Sequence, residues 1–152
     1  MFTINRKQSG FTLLEVMVAI VVLSLGLLGL AGLQAATLRN NQIAYYRAIA
    51  VQQTFDMADR IRANQVGVAA GAYNALDASI PADPGCVAST CTAAQMAVAD
   101  HSQWNNNNAR MLPAGTGTVA SVAGGSFDIT VSWNENTEAG STAQQFVTRV
   151  VP

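Results

Sequence analysis

The sequence predicts an α+β fold: one very long N-terminal α-helix, membrane-spanning and then amphipathic, packed on a small antiparallel β-sheet head. Three observations carry this prediction. Residues 11–33 form an apolar run with almost no charge, residues 34–65 lack proline and glycine and repeat apolar residues at helical spacing, and the last third of the chain alternates apolar with polar residues.

The apolar run reads FTLLEVMVAIVVLSLGLLGLAGL from Phe11 to Leu33, with Glu15 as its single charge. About 20 helical residues cross a hydrocarbon core of about 30 Å, so this segment can span a bilayer. The whole chain is 50% apolar and only 11% charged, against roughly 25% charged in a typical soluble domain. Much of that imbalance lies in this one run. Arg6 and Lys7 precede it, and positive flanks stay cytoplasmic, so the N-terminus faces the cytoplasm and the remainder is exported. A cleaved secretory signal has a shorter apolar core, roughly 7–15 residues. A plain anchor explains the length but not Glu15, because an acid inside a span costs about 2.5–3.5 kcal/mol. The run holds no Lys, Arg or His. A cationic partner for Glu15 must come from another chain or from a new chain terminus. Gly26, Gly29 and Gly32 recur every third residue; small residues let membrane helices approach closely.

From Gln34 to Gln65 a stripe of Ile43, Tyr46, Ala50, Thr54, Met57 and Ile61 follows steps of three and four, one face of a helix. Asp56 and Arg60 sit at i, i+4 on another face and can pair. Helix running from Phe11 to Asn64 would be about 80 Å long, too long for a compact domain alone. The amphipathic half is expected to pack on its own head rather than to form a coiled-coil stalk.

The chain therefore divides into a leader (residues 1–10), a membrane helix (11–33), an amphipathic helix (34–66) and an exported head (67–152). Residues 67–84 are Ala-rich and read as loop with room for a short helix. Cys86 and Cys91 follow. The exported side of a bacterial inner membrane is oxidising, so a disulfide is the natural reading. Their spacing does not fit the two-residue gap of a redox motif. Structural zinc needs four ligands, and His101 stands alone. Thr92 and Gln95 have the spacing of a capping box and open a helix over Ala93–Met111, with Ala97, Trp104, Asn108 and Met111 on one face. Three strands are expected: Thr118–Val122, then Phe127–Trp133 after a Gly124-Gly125-Ser126 turn, then Phe146–Val151 after a polar loop over Glu135–Thr142.

The junction Lys7-Gln8-Ser9-Gly10, Phe11-Thr12-Leu13-Leu14-Glu15 resembles the prepilin signature of type IV pilins and type II secretion pseudopilins. That resemblance implies cleavage by a prepilin peptidase between Gly10 and Phe11, N-methylation of Phe11, and pairing of Glu15 with the terminal amine of a neighbouring subunit. It also implies the pilin fold. The order of the head (a short Cys86–Cys91 loop, a helix with Asp100 and Trp104, Leu112-Pro113-x-Gly115, a strand ending in Trp133) is similar to the PilV-type minor pilins.

Catalysis finds little support. His101 has no acid at a fixed spacing and is expected on the surface. No hydrolase, zincin, P-loop or dinucleotide-binding motif occurs. Asp77 and Asp83 make a weak calcium signal without an EF-hand pattern. From Gly67 onward the head carries a net charge of −4, which disfavours direct nucleic-acid binding. No cofactor or metal is expected. The resemblance implies a non-enzymatic minor pilin of a type IV pilus, helping initiate assembly or a tip complex and supporting twitching motility and adhesion. The implied partners are the prepilin peptidase, the major pilin and other minor pilins, the inner-membrane assembly platform and a tip adhesin. Location would pass from inner membrane, with a periplasmic head, to the pilus. Two alternatives stand: a pseudopilin of the type II secretion system, and a membrane-anchored periplasmic enzyme.

Overall fold

The computed structural model describes residues 10–135 and 142–152. Seven elements follow in chain order: α1 (Leu13–Ala63), α2 (Gln65–Ala69), β1 (Ala75–Leu76), α3 (Ala93–Met111), β2 (Thr116–Val122), β3 (Ser126–Trp133) and β4 (Gln144–Val150). This is the α+β pilin fold, a long N-terminal helix with a small antiparallel sheet. By contacts the chain forms two units, residues 1–41 and 42–152, each described separately below.

The first unit is the apolar half of α1. Its side chains are exposed throughout, and the helix is long and apolar enough to cross a membrane. The helix begins at Leu13, two residues later than expected, because Thr12 ends the non-helical junction and accepts the first helical hydrogen bonds.

The second unit has its own core. Residues 42–63 of α1 contribute Ala50, Thr54, Met57 and Ile61 as buried positions, and Ile43 and Tyr46 as half-buried ones, so the amphipathic stripe lies where its spacing put it. Ile49, Gln53 and Ala58 widen it. α3 adds Ala97 and Trp104, and the sheet adds Val119, Phe127, Ile129, Val131, Trp133 and Val150. The Thr92–Gln95 capping box opens α3 as expected. Of the four residues expected on one face of α3, Ala97, Trp104 and Asn108 are buried and Met111, at the end of the helix, is exposed.

The sheet has four strands in the order β1-β2-β3-β4, all antiparallel. Three were expected. β1 is the addition: Ala75 and Leu76 pair with Ala120 and Val119, and two residues are too few to show alternation. β2 and β4 each begin two residues earlier than expected, and β4 ends at Val150. In β3 every apolar residue points inward, Trp133 included. Gly124 and Gly125 take positive φ of 86° and 75° at the β2–β3 turn, which glycine adopts without steric cost. A short helix, α2, capped by Asn64, covers Gln65–Ala69; it starts inside the segment expected to continue the amphipathic helix to residue 66, where α1 has already ended at Ala63, and overlaps only the first residues of the Ala-rich stretch. Apart from Gly10, the leader lies outside the described residues, as does most of the loop expected over Glu135–Thr142.

Candidate functional site

Gly10, Phe11 and Thr12 precede the helix in non-helical backbone. Phe11 is 83% exposed, and among the described residues a side chain built on Gly10 would meet nothing within 4 Å. The Gly10–Phe11 peptide bond is thus sterically open. Thr12 ends this stretch: its carbonyl accepts from the Glu15 and Val16 N–H groups at 3.1 and 3.3 Å, and its Oγ1 accepts from Glu15 N at 3.3 Å. This is one half of a T-x-x-E capping box. The Thr12…Glu15 spacing is itself a helix-start signal in the sequence.

Glu15 sits in the first turn of α1. No hydrogen bond or ion pair reaches its carboxylate among the described residues. The N-terminal end of a helix dipole favours a negative charge there, but that is a partial compensation for an acid in an apolar span. Phe11, Glu15, Ala19 and Leu23 share one face, so the acid and the junction face the same way.

The head holds two polar clusters. In the first, Arg60 on α1 donates to Asp56 at 3.0 Å, the i, i+4 pair read from the sequence, and to Asp100 on α3 at 3.1 Å. Tyr73 donates to the other Asp100 oxygen at 2.6 Å, and the Asn64 amide donates to Tyr73 Oη at 3.0 Å and to the Ala93 carbonyl at 2.8 Å. Burial pushes the Tyr73 phenol well above its ordinary range, and the hydrogen bond to Asp100 adds to that. Burial works against the Arg60 charge, but Asp56 and Asp100 outweigh it and raise its pKa.

The second cluster centres on Asn105. Its amide nitrogen donates to the carbonyls of Ser79 and Gly117 at 2.8 and 3.1 Å. Its oxygen accepts from Gly117 N at 2.7 Å and Asn108 Nδ2 at 3.2 Å. One buried side chain thus joins α3, β2 and the loop after β1. Gly117 lies against the Trp104 ring with no room for a Cβ. His101, expected on the surface, is buried at 6% exposure, with Nε2 2.8 Å from the Asp77 carbonyl. A chain neighbour could not signal this, because its partner is a backbone group 24 residues away.

Cys86 and Cys91 form a disulfide directly before the Thr92 cap of α3. Asp77 accepts from the backbone and hydroxyl of Ser79, which lowers its pKa, and Asp83 accepts from Gly85 N. Each carboxylate organises its own turn. Among the described residues no three His, Cys, Asp or Glu side chains gather as a metal site.

Residues 5–31 match the family model of the prokaryotic N-terminal methylation motif. The chain thus carries a prepilin-type signature of the type IV pilin-like proteins, which are structural subunits processed by a prepilin peptidase. Neither the curated proteins nor the solved structures contain a match to the chain.

Proposed function

We propose that this chain is a minor pilin of a type IV pilus, a non-enzymatic subunit of the PilV type that helps initiate pilus assembly or a tip complex. The observation that carries the reading is the junction itself. An open Gly10–Phe11 bond stands just ahead of an unburied apolar helix whose first turn holds an unpartnered carboxylate, Glu15. A prepilin peptidase cuts after Gly10 and methylates the new Phe11 amine. That amine is the cation Glu15 lacks. A neighbouring subunit's amine then meets Glu15, and because a lone buried charge is penalised by several kcal/mol, the pair fixes the depth at which helices pack.

The head supports the reading through the short Cys86–Cys91 disulfide loop ahead of α3. Its net charge of −4 supports protein partners, the major and other minor pilins and a tip adhesin, over nucleic acid. The chain enters the inner membrane with its head in the periplasm and moves to the pilus on assembly, where it supports twitching and adhesion.

Gly10→Val tests the processing step. The expected result is an uncut chain that retains its leader, with twitching reduced to the level of a deletion strain. Normal processing and piliation in this variant would overturn the reading. Deleting the gene separates pilus from secretion: twitching is lost while exoprotein release is normal. The reverse result would assign the chain to the type II secretion system as a pseudopilin.

A further inference from the structure

The sheet has one edge that natural proteins usually guard. β4 pairs with β3 along all seven residues, from Gln144↔Trp133 to Val150↔Phe127, in an unbroken register with no bulge. Among the described residues no strand lies on its other side. The opposite edge differs, because β1 is two residues long and Asn74 O takes the next β2 donor, Ser121 N. Exposed edges are ordinarily blunted by shortness, bulges, proline or charged side chains. β4 has no bulge or proline within its length and only one charged side chain. Its single charge, Arg149, is held in the sheet by Asp128 through two 2.7 Å bonds.

We infer that β4 pairs antiparallel with β4 of a second copy of this chain, joining the two sheets edge to edge. The strand's own pattern supports a copy of itself as the occupant. With a two-fold axis at Val147, the outward residues match: Val147 faces Val147, and Gln145 faces Arg149. The only charge meets an amide and never its own counterpart, so the like-charge penalty across strands is absent. On the inward side Phe146 faces Thr148, which keeps the apolar-polar alternation continuous. Val147 is 52% exposed in the single chain, and pairing would cover it. A seven-residue strand contact alone falls short of the roughly 1,000 Å² of a stable soluble interface. The membrane-capable helix supplies the missing term, since tethering in a plane raises effective concentration. This inference does not depend on the pilus reading.

Cysteine cross-linking of the full chain in membranes tests it. Val147→Cys, with a short thiol-specific cross-linker, gives a covalent homodimer. Gln145→Cys does not, because the two copies of residue 145 lie about 13 Å apart along the strands in this register. Val147→Lys places two ammonium groups face to face and lowers the dimer fraction at least tenfold, as read with an amine-independent, non-covalent assay such as native mass spectrometry. Trp fluorescence confirms that each variant keeps its core. No dimer with Val147→Cys, equal cross-linking at 145 and 147, or capture only of a different polypeptide would each overturn the pairing.

Discussion

Replacing Asn105 with alanine tests whether one buried amide holds the head together. Asn105 is 1% exposed, and its side chain satisfies the Gly117 N–H, the Gly117 carbonyl and the Ser79 carbonyl. Removing one partner of a buried hydrogen bond costs about 1–3 kcal/mol per orphaned group. Four groups lose a partner in Asn105→Ala: the Gly117 N–H, the Gly117 carbonyl, Asn108 Nδ2 and the carbonyl of Ser79, an exposed residue that water can reach, which leaves three buried groups orphaned. The Asp77 carbonyl, which also accepts from Asn105 at 3.3 Å, keeps His101. Water entering the vacated space recovers part of the loss, so the expected cost is about 3–4 kcal/mol, near the lower end of the three-group range. That is a large share of a domain stability of about 5–15 kcal/mol. With a urea slope near 2 kcal/mol per molar, the midpoint falls by about 1.5–2 M. Fluorescence of Trp104 and Trp133, both buried, reports the transition. Asn106→Ala is the control: Asn106 is exposed and bonds within its own helix to Ser102 O, so its effect stays within about 0.5 kcal/mol. A loss below about 1 kcal/mol for Asn105→Ala, or equal losses at 105 and 106, would refute the assignment of Asn105 as the junction of α3, β2 and the β1 loop.

Gly117→Ala places a Cβ against the Trp104 ring and 2.7 Å from Asn108 Nδ2, and overpacking of this kind costs about 1–3 kcal/mol, measurable in the same urea titration. The raised Tyr73 pKa fixes a sign in alkali: the folded state keeps the phenol proton after the unfolded chain has lost it, so stability falls as pH rises above about 10. Tyr73→Phe flattens that decline; an unchanged slope would show that Tyr73 does not carry it. Replacing Cys86 and Cys91 with alanine lowers stability by about 2 kcal/mol through the short loop it opens, read as a lower melting temperature that reducing agent does not lower further.

Local patterns foretold what local chemistry builds. The Thr92–Gln95 cap, the Asp56–Arg60 pair, the β3 alternation and the α1 stripe depend on residues within four positions of each other or on simple periodicity. Asn105–Asn108 is a run of weak helix formers, and its amides are occupied in tertiary bonds: Asn105 on β2, and Asn108 on Asn105. His101 is hidden for the same reason: its partner is a carbonyl distant in sequence. β1 was invisible because two residues carry no period. At the junction both the Gly10–Phe11–Glu15 pattern and the Thr12…Glu15 cap spacing are legible in the sequence, and the hydrogen bonds show Thr12 taking the first N–H groups of α1.

The ties between α1 and α3 have a mechanical consequence. Gln53 O accepts from Trp104 Nε1 at 2.8 Å, Arg60 grips Asp100, and Asn64 just beyond the helix holds Ala93 O. At 1.5 Å per residue these anchors stand about 10 and 6 Å apart along the axis. At steps of seven and four residues, all three stand on one face of the helix axis. A pull along α1 therefore loads them together, in shear, whereas a sideways pull would open them one after another. A helix stitched this way withdraws from its head only when several bonds fail at once, and axial force is shared across the seam before any single bond breaks.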